Sequence, residues 1–253
     1  MKILQVSNYY YPFIGGIEQV ARDCSDALKD HHEVKVFCFH KEKGDMRGEV
    51  DGVEVIRAGS FAKVASQSLS FSYGKLLKKT FREFQPDVVI FHYPNPFGAH
   101  YLKKQLKKYP RCKLVLWWHL DITKQKILGK LFAGQTKWLL KHACKIVATS
   151  PNYIEGSACL RSVREKCTVI PCCVSSARMC VSDEIAERAK ALRTEYAGKT
   201  ICLAMGRHVP YKGMEYLVRA SKLLGDSFAV WIGGQGELTD ELKRLAADDK
   251  KVE

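Results

Sequence analysis

The chain has 253 residues, 46% of them apolar, which suits one large or two modest domains with packed cores and excludes disordered, collagenous and disulfide-miniprotein classes. Its 41 Lys and Arg against 27 Asp and Glu leave a net charge of +14, the balance of a protein that meets a polyanion: nucleic acid, an acidic membrane or a phosphorylated substrate. The charge is local, since residues 1–173 carry 28 basic against 15 acidic side chains, residues 174–253 carry 13 against 12, and residues 75–145 alone hold 16 against 3.

From the N-terminus, Met1-Lys2-Ile3-Leu4-Gln5-Val6 runs straight into a polar loop, without the apolar core and cleavage site of a signal peptide. No apolar run approaches the ~20 residues of a membrane span, so a cytosolic protein is expected. Short β-branched or aromatic runs at residues 3–7, 34–39, 53–57, 88–92, 114–118, 146–149 and 168–170 predict strands. Amphipathic stretches at 16–29, 73–84, 99–108, 128–142 and 151–159 predict the intervening helices. That alternation is the pattern of a doubly wound parallel sheet, an α/β domain over residues 1–173. A polar helical linker is expected over 174–198. Strand–helix alternation restarts at Thr200, with strands at 201–205 and 228–232 and helices at 214–224 and 238–247, so residues 199–253 read as part of a second domain.

Ten cysteines without a C-x-x-C pair, five of them (Cys38, Cys167, Cys172, Cys173 and Cys202) in strand-like runs, read as buried reduced thiols. The eight histidines include no H-E-x-x-H and no zinc-finger spacing with cysteine, so zinc is a poor expectation.

In a doubly wound domain ligands bind beyond the carboxyl ends of the strands. The first strand leads into Gly15-Gly16-Ile17-Glu18, where two glycines before a helix either form a tight turn or let the backbone approach a phosphate at the helix start. No G-x-G-x-x-G follows that strand, which argues against a nicotinamide oxidoreductase. His92 ends the fourth strand and reads as a packed histidine. His119 follows the fifth, with Asp121 two residues on, able to orient the imidazole or to contact substrate. In the second half Gly206-Arg207-His208-Val209-Pro210-Tyr211-Lys212-Gly213 follows a strand expected to be buried. It is either a solvated basic turn or a place where Arg207 and Lys212 hold a diphosphate beside a helix N-terminus. Gly233-Gly234-Gln235-Gly236 repeats the strand–glycine–helix pattern, and these loops together suggest a ligand held in a cleft between domains.

These motifs, with Trp118-His119-Leu120-Asp121-Ile122, Lys124-Gln125-Lys126, Ala148-Thr149-Ser150-Pro151-Asn152-Tyr153 and Val169-Ile170-Pro171, occur in the order seen in family 4 retaining glycosyltransferases. The chain resembles especially the bacterial mannosyltransferase-like enzymes of O-antigen and capsule assembly. The resemblance implies a GT-B fold, two Rossmann-like domains with the second incomplete here, and a hexosyltransferase using a GDP- or UDP-sugar. It implies donor binding by Gly15, Gly16, Glu18, Arg207, Lys212, Gly234 and Gly236, and contact of His119 with the transferred sugar, which leaves His119 and Asp121 as the catalytic candidates. Fixed cations would assist departure of the diphosphate, and no cofactor or metal is expected, since no Asp-x-Asp occurs to carry one. At the hinge, Ile170-Pro171-Cys172-Cys173 stands where relatives commonly read Ile-Pro-Asn-Gly or Ile-Pro-Phe-Gly. The family's paired-glutamate motif would lie beyond the matched region, so the chain reads as a fragment of a longer enzyme, or as an inactive remnant that binds anionic glycolipid or membrane.

The basic stretch places Lys75, Lys78, Lys79 and Arg82 on neighbouring helical turns, and Lys103, Lys104, Lys107 and Lys108 likewise. It reads either as a solvated face or, with Leu76, Leu77, Phe81, Leu102 and Leu106 interleaved, as an interfacial helix pair at an anionic membrane. The expected partners are therefore a nucleotide-sugar, a lipid-linked saccharide acceptor and the inner face of the plasma membrane, where the protein would sit peripherally. No helix-turn-helix, RNA-binding or zinc signature supports nucleic acid.

Overall fold

The computed structural model describes residues 1–64, 67–122, 126–174 and 179–253, with residues 126–131 described by their backbone alone. Two compact units divide the chain, Met1–Ser175 and Ser176–Glu253. In the first, the strands are β1 (Lys2–Val6), β2 (Glu33–His40), β3 (Met46–Val50), β4 (Val53–Gly59), β5 (Ala62–Val64), β6 (Gln67–Leu69), β7 (Val88–Tyr93), β8 (Lys113–Trp118), β9 (Lys145–Ala148) and β10 (Cys167–Val169). The helices are α1 (Gly16–Lys29), α2 (Tyr73–Phe84), α3 (Pro96–Lys108), α4 (Lys126–His142), α5 (Pro151–Gly156) and α6 (Ala158–Arg161). Eight strands form one sheet in the order β10-β9-β8-β7-β1-β2-β4-β3, parallel except for β3, while β5 and β6 pair as a small separate hairpin.

The central strands read as unbroken apolar runs because helices cover both faces of the sheet. On one face Leu4, Val6, Phe37, Phe91 and Leu116 pack with Leu77 and Phe81 of α2, Leu102 of α3 and Leu139 of α4. On the other, Ile3, Val34, Val36 and Ile90 pack with Ala21 and Cys24 of α1. Full burial of each large aliphatic or aromatic side chain contributes ~1.5–3 kcal/mol, and this sets the register that aims the strand ends.

Local chemistry explains where the elements depart from expectation. The unexpected β3 pairs with β4 through Asp51 and Gly52, whose φ values of 52° and 81° are the two left-handed positions of a type I′ hairpin. Its polar sequence, Met-Arg-Gly-Glu-Val, hides it as an edge strand. Helix α3 starts three residues earlier than the expected 99, because the Asn95 side chain accepts from the Gly98 amide at 2.8 Å and Pro96 fits the first turn. The single helix expected over 151–159 is two, because Ser157 is extended and its hydroxyl caps α6 by accepting from the Leu160 amide at 3.2 Å. The expectation of buried thiols holds for Cys24 and Cys38, while Cys144, Cys172, Cys173 and Cys180 are exposed. Cys172 and Cys173 follow β10 in irregular chain and stand exposed there.

The second unit contains α7 (Asp183–Glu195), β11 (Thr200–Met205), α8 (Met214–Ser221), β12 (Phe228–Gly233) and α9 (Thr239–Ala246), with β11 and β12 parallel. Met214, Val218 and Leu242 form its core. β11 is not the buried strand expected: Ile201, Leu203 and Met205 are exposed on one face of a sheet that has two strands.

Candidate active site

The chain winds from β1 through β2 to β4 on one side and returns to β7, β8, β9 and β10 on the other. The order therefore reverses at β1 and β7, and their carboxyl ends border the crevice where such sheets bind ligands. The two loops are tied there, as Asn8 donates its side-chain amide to the Pro94 carbonyl at 2.9 Å. Of the neighbouring glycines, Gly15 caps α1, and a side chain on it would collide with the Glu18 carboxylate. That buried carboxylate folds back over the helix start and itself supplies the negative charge the dipole attracts. Gly16 has nothing within 4 Å of where a Cβ would stand, so its backbone is open to approach.

His92 and His119 stack at the ends of β7 and β8, with ring centres 5.3 Å apart at 15°. His119 Nε2 lies 3.0 Å from His92 Nδ1, and His92 Nε2 lies 2.8 Å from Gln5 Oε1 in β1. Burial pulls the His119 imidazole down from 6.5 to about 4. Burial and the neighbouring His119 hold the fully buried His92 well below its usual value. Both rings are neutral at physiological pH, and His119 is half-buried.

Asp121 does not orient His119. Its Oδ1 accepts from Trp118 Nε1 at 2.8 Å and from the Ser157 hydroxyl at 3.0 Å, so the carboxylate pins the loop after β8 to the start of α6. The imidazole takes its partner from His92 instead. Lys124 and Gln125 lie outside the described residues, as does the side chain of Lys126.

In the second unit the loops after β11 and β12 run side by side: the Gly206 amide donates to the Gly233 carbonyl at 3.0 Å and the His208 amide to Gln235 at 3.1 Å. A Cβ on Gly234, whose φ is 137°, would strike the Gly206 carbonyl oxygen, and one on Gly236 would strike the His208 backbone. Close packing of the two loops is thus reason enough for both glycines. Arg207 and Lys212 are exposed and meet at one ring: Arg207 donates to the Tyr211 hydroxyl at 3.0 Å, and Lys212 Nζ lies 5.7 Å from the Tyr211 ring centre. The start of α8 follows directly, giving two cations beside free backbone N–H groups, an arrangement able to hold a diphosphate.

The sequence profile of glycosyltransferase family 4 matches residues 14–178, well over half of the chain and including both His92 and His119. The chain belongs to this glycosyltransferase family. It is 30% identical over 97% of its length to O-antigen chain mannosyltransferase C of Escherichia coli, and 31% identical over 98% to the D-rhamnosyltransferase WbpZ of Pseudomonas aeruginosa. It spans 64% and 63% of those two relatives. Among solved structures it is similar to Anabaena HepE in complex with UDP and glucose (TM-score 0.72, 16% identity, all of this chain on 68% of that one). Sucrose-phosphate synthase of Thermosynechococcus elongatus gives a TM-score of 0.74 at 16% identity, again with all of this chain, on 69% of that one. The fold is GT-B, with the second Rossmann-like domain represented in part.

In this family member the apolar side chains of the basic helices are committed to the core. Leu77, Phe81, Leu102 and Leu106 are buried and Leu76 packs on the same core, because the sheet, not a membrane, receives the apolar faces of α2 and α3. Lys75, Lys78, Lys79, Arg82, Lys104, Lys107 and Lys108 remain exposed, while Lys103 is half-buried over the Trp138 ring. No helix among the described residues is long and apolar enough to cross a membrane, and no group of three or more His, Cys, Asp or Glu among them could hold a metal. Sequence reading missed Gln5 and Tyr211. The signal for Gln5 was available: an amide inside the apolar run Ile3-Leu4-Gln5-Val6 must find buried partners.

Proposed function

We propose that this glycosyltransferase moves a hexose, with mannose as first candidate, from a GDP- or UDP-sugar onto a lipid-linked saccharide, with retention at the anomeric carbon and without a metal. The supporting observation is the cation pair Arg207 and Lys212 gathered on Tyr211 at the start of α8. Breaking a sugar–diphosphate bond builds negative charge on the leaving group and positive charge on the anomeric carbon. Fixed cations assist the first, and a neutral His119 can touch the sugar without opposing the second. Mannose draws support from the O-antigen mannosyltransferase relative, and a nucleotide donor from the UDP bound in HepE. The exposed lysines of α2 and α3 support docking to the cytoplasmic leaflet by charge alone, since their apolar neighbours are buried.

The test is incubation of the protein with labelled GDP- and UDP-sugars and a bacterial membrane extract. Label moving into a lipid-extractable saccharide is expected. Sugar-nucleotide or membrane binding with no transfer would instead identify a non-catalytic remnant.

A further inference from the structure

Five hydrogen bonds running from α1 to the end of β8 set which atom donates and which accepts along their path. Ser25 donates its single hydroxyl proton to the Ala21 carbonyl at 3.1 Å. Gln5 Nε2 reaches the same Ala21 carbonyl, which can only accept, at 3.2 Å, and donates to the Ser25 oxygen, itself also bonded to Tyr10, at 2.6 Å. With its nitrogen held on α1, the Gln5 carboxamide turns Oε1 towards His92 Nε2, 2.8 Å away. A carboxamide oxygen can accept and never donate, so His92 Nε2 carries a proton. His92 is fully buried and neutral, which leaves its Nδ1 as a lone pair. His119 Nε2, 3.0 Å from that lone pair, must then be the donor. His119 is neutral as well, so its Nδ1 is bare, and among the described residues no group hydrogen-bonds it.

We propose that Gln5 and His92 are positioning residues that lock His119 in the Nε2–H tautomer and so present its Nδ1 lone pair as an acceptor for a hydroxyl of the transferred sugar. The second half rests on the reading of His119 as a sugar contact. The locked ring prefers a ligand hydroxyl over a ligand carbonyl or phosphate oxygen, because neither of these has a proton to offer a lone pair. The chain is rigid where it needs to be: Gln5, Ser25 and His92 are all fully buried, and stacking of His92 on Trp117 at 5.8 Å holds its plane.

The experiment is long-range proton–nitrogen NMR of the 15N-histidine-labelled protein at neutral pH, which reads the tautomer of each imidazole directly. In the wild type, His119 should show a protonated Nε2 and an unprotonated Nδ1. Gln5→Leu removes the acceptor that orders His92, and a second His119 tautomer should appear. Gln5→Glu keeps an oxygen acceptor and should restore the single tautomer. Titrating GDP- and UDP-sugars into the wild type should shift the His119 Nδ1 resonance. An Nδ1–H tautomer in the wild type, which needs no variant to fold, overturns the relay, as does a single unchanged tautomer in a folded Gln5→Leu protein. An intact relay with no movement of Nδ1 under saturating sugar nucleotides overturns the sugar contact instead.

Discussion

Acidification should weaken the first unit through His119, because its imidazole titrates at about 4 in the folded protein against 6.5 when free. The folded value is the lower one, so between the two the unfolded chain binds more protons and stability falls as pH falls. The contribution is complete above pH ~6.5, declines through the window between, and is gone below pH ~4. At pH ~5 the unfolded imidazole is almost wholly protonated and the folded one is about one-tenth protonated, which amounts to a loss of about 2 kcal/mol relative to neutral pH. His92 pushes in the same direction. Urea unfolding of the first unit at about pH 7 and about pH 5, followed by tryptophan fluorescence in a Trp231→Phe background, measures this, since Trp117 stacks beside the pair. The His119→Gln protein has no such imidazole, so its acid-induced loss should be smaller by about 2 kcal/mol. Equal losses in both proteins would refute the burial argument.

Gly16→Ala should leave the melting temperature within about a degree and reduce sugar-nucleotide turnover or binding, since space is open at that position, whereas Gly234→Ala should destabilise the second unit by ~1–3 kcal/mol from backbone strain and collision with the Gly206 carbonyl. Thermal melts paired with ligand titration separate the two, and a destabilised Gly16→Ala would make that glycine structural. Arg207→Ala and Lys212→Ala should each weaken GDP or UDP binding by ~1.5–3 kcal/mol, roughly tenfold to a hundredfold by calorimetry, and unchanged affinity in both would remove the diphosphate role. Replacing Lys75, Lys78 and Lys79 with Glu should leave the fold intact, because all three are exposed, and abolish co-sedimentation with anionic liposomes, itself expected to fade with salt. Equal recovery with neutral and anionic liposomes in the wild type would leave these lysines a solvated face.

The doubly wound first domain was legible in the chain because its determinants are local. Strands buried on both faces must be apolar throughout, and helices packed on one side must be amphipathic, so α1 and α2 fall at the residues their periodicity predicts. That Gly16, His119, Arg207 and Lys212 lie in or just after the loops that follow strands was legible as well, since each comes after a short apolar run. What surrounds those side chains was not. Asp121, two positions from His119, was the natural partner by sequence. Its carboxylate instead joins Trp118 and Ser157, while His119 bonds to His92, 27 residues away, and through it to Gln5, 87 residues further back from His92. The leucines among the lysines of α2 and α3 are compatible with a membrane or a core, and the sheet beneath them decided for the core. Glycine is equally ambiguous as a letter: the open space beside Gly16 and the Gly206 carbonyl against Gly234 come from chain segments distant in sequence. Periodicity records which side of an element is dry, but it does not record which polar atom, arriving from another strand, completes a hydrogen bond there.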